Sequence, residues 1–194
     1  ERVNFYRKLY PSVDVITGDI ANKNVQEELI KKAIDNKINL IIATPPCQGM
    51  STAGKKDSSD YRNDLICEAV KVIKATRPDY VLIENVPQQL ITKILINNKE
   101  ILIPEYVKNE LNALYNFQIE TINTANYGVA QTRERAIFLL TLKEKNNVWK
   151  FPKKSNTINT METAIGDLPP LDPLINDIPY EKHLTIFPLY ETRK

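Results

Sequence analysis

Apolar positions along the chain change period several times, and each change marks an element. Val3, Tyr6, Leu9 and Tyr10 recur at helical spacing, so residues 1–10 read as a helix. Val13–Ile16 is a short apolar run closed by Thr17-Gly18-Asp19, which predicts a strand and a turn. Residues 21–35 return to the helical period, with Val25, Leu29, Ile30 and Ala33 on one face. Asn39–Ala43 is apolar at nearly every position, the pattern of a central parallel strand covered on both faces. Residues 48–60 form a polar loop of mostly small side chains. Residues 62–75 are helical, with Leu65, Ile66, Ala69, Val70, Val72 and Ile73 as the apolar set. Tyr80–Ile83 is the next buried strand, a helix is expected over 104–115, and Phe117–Ile122 and Arg135–Leu142 read as two further strands. From Phe151 onward prolines at 152, 169, 170, 173, 179 and 188 break the pattern, leaving one short helix over 160–167. Strands alternating with helices through the first 85 residues predict an α/β fold with a doubly wound, mostly parallel sheet. Its strand–helix–strand returns should be right-handed.

Composition narrows the chemistry. The chain has 194 residues, enough for one domain and the start of another. Lys and Arg number 26 against 24 Asp and Glu, a net charge of +2, so any contact with nucleic acid must come from local placement of cations. Two cysteines, Cys47 and Cys67, show no metal-binding spacing, and His183 is the one histidine. A His-based metal centre or a Ser–His pair is therefore not expected, and chemistry falls to Cys, carboxylates and Arg. Two cysteines with no signal sequence point to a reducing, cytoplasmic setting. No apolar run reaches the length of a membrane span.

The strand-end residues are the candidates for function. Thr44-Pro45-Pro46-Cys47-Gln48-Gly49 follows the strand Asn39–Ala43 directly. Open α/β sheets place their ligands at the carboxyl ends of strands. A thiol on that proline-stiffened turn would be presented outward, where backbone N–H groups would favour the thiolate. The plain alternative is a buried structural cysteine, which is the reading adopted for Cys67 inside its helix. Glu84 ends the next strand, so a nucleophile and a proton-donating carboxyl would face one pocket if the two strands are adjacent and parallel. Its alternative is a solvated loop carboxylate or a helix cap. Gln131, Arg133 and Arg135 alternate ahead of the last strand, which would set two guanidiniums on one side of an extended segment, suited to a phosphate or a polar base edge. Asp19 either caps the following helix or bonds a nucleotide at the crevice.

These segments resemble the cytosine-C5 DNA methyltransferase family, of the bacterial restriction–modification type. Thr44–Ser51, Glu84-Asn85-Val86 and Gln131-x-Arg133-x-Arg135 occur in that family's order and approximate spacing, with Gly18-Asp19-Ile20 before them, Asn126-Tyr127-Gly128-Val129-Ala130 between, and Ala164-Ile165-Gly166-Asp167-Leu168-Pro169 after. The resemblance covers residues 5–170. It implies a Rossmann-like fold of the S-adenosylmethionine-dependent methyltransferase type, and a methyl transfer to C5 of cytosine in duplex DNA. Cys47 corresponds to the nucleophile at C6, and Glu84 to the acid at N3 and the exocyclic amine. Arg133 and Arg135 correspond to the arginines that hold the target nucleotide. Gln48, Ser51, Gln131 and Arg135 correspond to DNA-facing residues, and Asp19, Ile20, Pro46 and Leu65 to the wall of the S-adenosylmethionine pocket. C6 is unreachable in a stacked duplex, so the cytosine would be flipped out, and the small-residue loop 48–60 would serve as a lid. No metal is required.

The sequence also departs from the family. The glycine-rich turn after the family's first strand is absent, and so is the acidic residue ending its second strand. Ala130 stands where proline is frequent. The expectation is a methyltransferase core over residues 1–152, incomplete at both ends and lacking the first strand, with 153–194 as linker and approach to a target-recognition region. Such a chain should bind S-adenosylmethionine poorly and not methylate DNA alone, and a complementary chain could supply the missing motifs. Three other readings remain: a tRNA cytosine-C5 methyltransferase, a non-catalytic partner subunit with the same fold, and a thiol-redox protein using Cys47 and Cys67.

Overall fold

The computed structural model describes residues 2–46 and 64–168. Helices α1 (Arg2–Leu9) and α2 (Lys23–Asp35) precede strand β1 (Leu40–Ala43). Helix α3 (Leu65–Thr76) leads to β2 (Tyr80–Asn85), and a hairpin of β3 (Lys93–Ile96) and β4 (Lys99–Leu102) follows. Helix α4 (Ile103–Leu111), strands β5 (Tyr115–Asn123) and β6 (Glu134–Leu142), and the short helix α5 (Met161–Ile165) complete the order. One sheet has the order β1-β2-β6-β5 and the hairpin forms a second. β1 and β2 are parallel, with Ala43 opposite Ile83, while β6 runs antiparallel to β2, with Glu84 opposite Ile137.

The core explains why these segments fold as they do. Ile66, Val70 and Ile73 recur at helical spacing on α3 and meet Val81 and Ile83, the alternate positions of β2. Val107 and Leu111 of α4 and Phe138 and Leu140 of β6 belong to the same cluster. Each such fully buried aliphatic side chain contributes about 1.5–3 kcal/mol relative to exposure. Helix α3 stops at Arg77, whose left-handed backbone (φ 47°) lets its N–H donate to the Ile73 carbonyl. The described residues divide into two compact units, residues 2–46 with 64–122 and 134–152, and residues 123–133 with 153–168.

Several expectations are corrected. Val13–Ile16 forms no strand and Val13 is exposed. With nothing paired on that side, β1 is an edge among the described residues, and Ile42 is 62% exposed. The strand buried on both faces is β6, where every residue from Ala136 to Leu142 is buried. Helix α2 begins at Lys23, capped by Asn22, whose side chain accepts from the Asn24 N–H. Asp19 instead accepts from the Ala21 N–H at 2.9 Å, an Asx turn before the helix. Helix α4 ends at Leu111, and Tyr115 opens β5 because its ring is fully buried and its hydroxyl bonds the Pro78 carbonyl at 2.8 Å. The hairpin β3–β4 has no forerunner in the sequence reading. Its turn is Asn97-Asn98, both left-handed at φ 49° and 62°. Among the described residues no helix is long and apolar enough to cross a membrane.

Candidate active site

The parallel pairing of β1 and β2 brings two strand ends to one edge of the sheet. The ladder ends at Ala43 and Ile83, and a side chain continues it. Asn85, only 3% exposed, donates through Nδ2 to the Pro45 carbonyl at 3.0 Å, while its Oδ1 accepts from the Val86 N–H at 2.8 Å. The proline turn is therefore tied to the end of β2, two residues before Cys47 in sequence. Cys47, Gln48 and Ser51 lie outside the described residues, as does the whole of the expected lid 48–60.

Glu84 sits one residue before Asn85, and its partner comes from the neighbouring antiparallel strand. Arg135 Nε lies 2.7 Å from Glu84 Oε1, on side chains 20% and 31% exposed. Arg135 also donates to the Glu134 carbonyl at 2.7 Å. Two directed bonds hold the guanidinium, so the carboxylate is oriented as well as charge-paired. Cys67 is the free thiol among the described residues. It is buried in α3, where desolvation pushes its ionisation up and the Tyr106 hydroxyl is its hydrogen-bond partner. A buried, poorly ionised thiol is inert, as expected for a structural cysteine.

A cavity of about 440 Å³ lies between α2, α3 and the β1 end. Ile20, Pro46 and Leu65 help line it, together with Ile42, Thr44 and Ala69. Asp19 adjoins Ile20 and is exposed. The walls are mostly aliphatic, the surface that receives a flat heterocycle, with polar groups at the periphery. Among the described residues no group of three His, Cys, Asp or Glu side chains is arranged to hold a metal.

In the second unit, Gln131 and Arg133 do not share the extended face that the sequence suggested. β6 begins only at Glu134, and the chain bends at Ala130 and Gln131. Both side chains are exposed on the loop between β5 and β6. Thr124 closes that loop: its Oγ1 donates to the Gln131 carbonyl at 2.7 Å and its N–H to the Arg133 carbonyl at 3.0 Å. Asn159 Nδ2 donates to the Gly128 carbonyl at 2.7 Å, and the Ser155 N–H to the Asn126 carbonyl at 2.7 Å. The contacts of Thr124 and Asn85 have no counterpart in the sequence analysis. The one signal for Asn85 was its place beside Glu84 at a strand end.

Similarity to known proteins adds an independent line. The family model described as C-5 cytosine-specific DNA methylase matches residues 1–190. The chain is 36% identical over 177 residues to the Type II methyltransferase M1.HgaI of Avibacterium volantium, covering 89% of this chain and 49% of that protein. It is 31% identical over 171 residues to the Type II methyltransferase M1.HphI of Haemophilus parahaemolyticus, covering 86% and 44%. The chain thus spans about half the length of the curated relatives it matches. Among solved structures, the Entamoeba histolytica methyltransferase EhMeth superposes with a TM-score of 0.59 at 18% identity, covering 93% of this chain and 52% of the other. At that identity the likeness speaks for the fold, a Rossmann-like α/β methyltransferase fold.

Proposed function

The chain belongs to the C-5 cytosine-specific DNA methylase family, and on that premise we propose that it transfers a methyl group from S-adenosylmethionine to C5 of a cytosine flipped out of duplex DNA. The observation that carries this reading is the Glu84–Arg135 pair at 2.7 Å, next to the Asn85 tie that holds the proline turn preceding Cys47. C5 of cytosine is a weak nucleophile. The Cys47 thiolate adds to C6, with Glu84 delivering a proton at N3, and electron density moves to C5. S-adenosylmethionine supplies the electrophilic methyl that C5 takes. The demethylated thioether departs, a base then removes the C5 proton as the thiolate leaves C6, and N3 returns its proton to Glu84. Arg135 holds Glu84 in place, while Gln131 and Arg133, with Gln48 and Ser51, engage the nucleotide and its phosphates.

The aliphatic cavity beside Ile20, Pro46 and Leu65 fits the adenine ring of the methyl donor, with Asp19 available to its polar groups. The open outer edge of β1, where Ile42 is 62% exposed, is the place for a further strand and the glycine-rich turn, from the same protein or a complementary chain.

The test uses the full-length protein, S-adenosylmethionine and duplex DNA carrying 5-fluorocytosine, which blocks release of the C5 substituent. A covalent protein–DNA adduct lost in Cys47→Ala is expected. An adduct that persists in Cys47→Ala overturns the assignment of the nucleophile, and an adduct on RNA alone moves the substrate to RNA.

A further inference from the structure

Thr124 makes several of the hydrogen bonds that hold the loop between β5 and β6. Thr124 follows the last residue of β5 and opens a 3-10 turn, and its N–H donates to the Arg133 carbonyl at 3.0 Å across the loop mouth. Its carbonyl accepts from Gly128, which is left-handed at φ 84°, and from the Val129 N–H at 3.3 Å. Those backbone bonds would form with any residue at this position. The hydroxyl bond would not: Oγ1 donates to the Gln131 carbonyl at 2.7 Å. That bond is made at the bend, one residue before Thr132 and two before Arg133, where the loop backbone has no ladder to hold it.

We propose that Thr124 is a positioning residue, whose hydroxyl fixes the direction in which Gln131 and Arg133 leave the loop. That these two side chains engage DNA rests on the function proposed above; the clasp itself does not. A loop fixed in advance loses less conformational freedom when its side chains meet a ligand, so the clasp should act on substrate binding more than on the chemical step.

Thr124→Val keeps the shape and branching of threonine and removes only the hydroxyl. Thr124→Ser keeps the hydroxyl. In the full-length protein, amide hydrogen exchange over residues 125–133 is read beside KM for duplex DNA and kcat. Thr124→Val should exchange about fivefold faster over that segment and raise KM by a similar factor, the effect of one lost hydrogen bond. Its kcat should stay within about twofold, since a change confined to KM is the mark of lost binding, and Thr124→Ser should match the parent in all three. Unchanged exchange in Thr124→Val overturns the clasp, and so does equal damage in Thr124→Ser. Faster exchange in Thr124→Val, when the parent forms no adduct with 5-fluorocytosine DNA, supports the clasp and overturns the DNA reading instead.

Discussion

At Glu84 one contact, to Arg135 Nε at 2.7 Å, orients the side chain on which the proposed proton transfer depends. Glu84→Gln keeps the size of the side chain and removes its charge and its acid. Adduct formation with 5-fluorocytosine DNA, followed by gel shift under denaturing conditions, should slow by about 10²-fold, in the range for a lost general acid; a rate equal to the parent's would remove Glu84 from the chemistry. Asn85 is a different case, because it touches backbone on two sides from a buried position. Asn85→Asp keeps the acceptor for the Val86 N–H but loses the donor to Pro45 and buries a charge. It should lower stability by about 1–3 kcal/mol in chemical denaturation, the cost of an unsatisfied buried polar group. A variant as stable as the parent would show that the tie to Pro45 carries no weight. Glu84 and Arg135 were legible in the sequence because each marks the boundary of an apolar run. Their pairing was not, since it depends on the antiparallel register that sets Glu84 opposite Ile137. Asn85 was not legible as buried, because asparagine at a strand end is ordinarily solvated.

Among the elements, periodicity identified α2, α3, β2 and β6 because each carries a full apolar face. It failed where neighbours decide. Val13–Ile16 has strand composition but no strand beside it, and β1 has the composition of a central strand but an open edge. The β3–β4 hairpin depends on two left-handed asparagines between the unbroken apolar runs Ile94-Leu95-Ile96 and Ile101-Leu102-Ile103, which show neither strand alternation nor a helical period. The entry to α2 offers a direct test of close packing. Gly18 has φ 151°, and a Cβ built there would lie 2.7 Å from Val25 Cγ2, inside van der Waals contact. Gly18→Ala should therefore destabilise the protein by about 1–3 kcal/mol, from overpacking and backbone strain. Adding Val25→Ala should recover part of that loss, so the double mutant departs from additivity. Strict additivity of the two changes, read from urea unfolding midpoints, would mean that Gly18 is required for its backbone angle alone.

For the molecule as a whole, the buried tyrosines make stability depend on alkaline pH. Tyr115 is fully buried with its hydroxyl on the Pro78 carbonyl, and burial pushes its ionisation up to about 12. Tyr106, packed against Cys67, is shifted in the same direction by desolvation. An unfolded tyrosine releases its proton near pH 10, roughly. Below that pH both states keep the proton and stability does not respond to Tyr115. Above it the unfolded chain has lost the proton while the folded chain retains it, so unfolding becomes easier with each further rise in pH. The stability is lost progressively until the folded group itself ionises, at about pH 12. One such group lowers stability by about 1.4 kcal/mol per pH unit within that window. Urea unfolding between pH 9.5 and 11.5, to use roughly the accessible part of the window, should show more than this slope in the parent, because Tyr106 and Cys67 hold their protons in the folded state as well. Tyr115→Phe should start less stable by about 1 kcal/mol at neutral pH, from the hydrogen bond lost to Pro78. It should then fall less steeply, because one of the resisting protons is gone. The sheet end with Glu84 and the Tyr115–Pro78 contact belong to the same unit, so unfolding driven from Tyr115 should abolish adduct formation along the same pH curve. A slope unchanged in Tyr115→Phe would mean that Tyr115 ionises in the folded protein without cost, against a ring and hydroxyl that the structure buries completely.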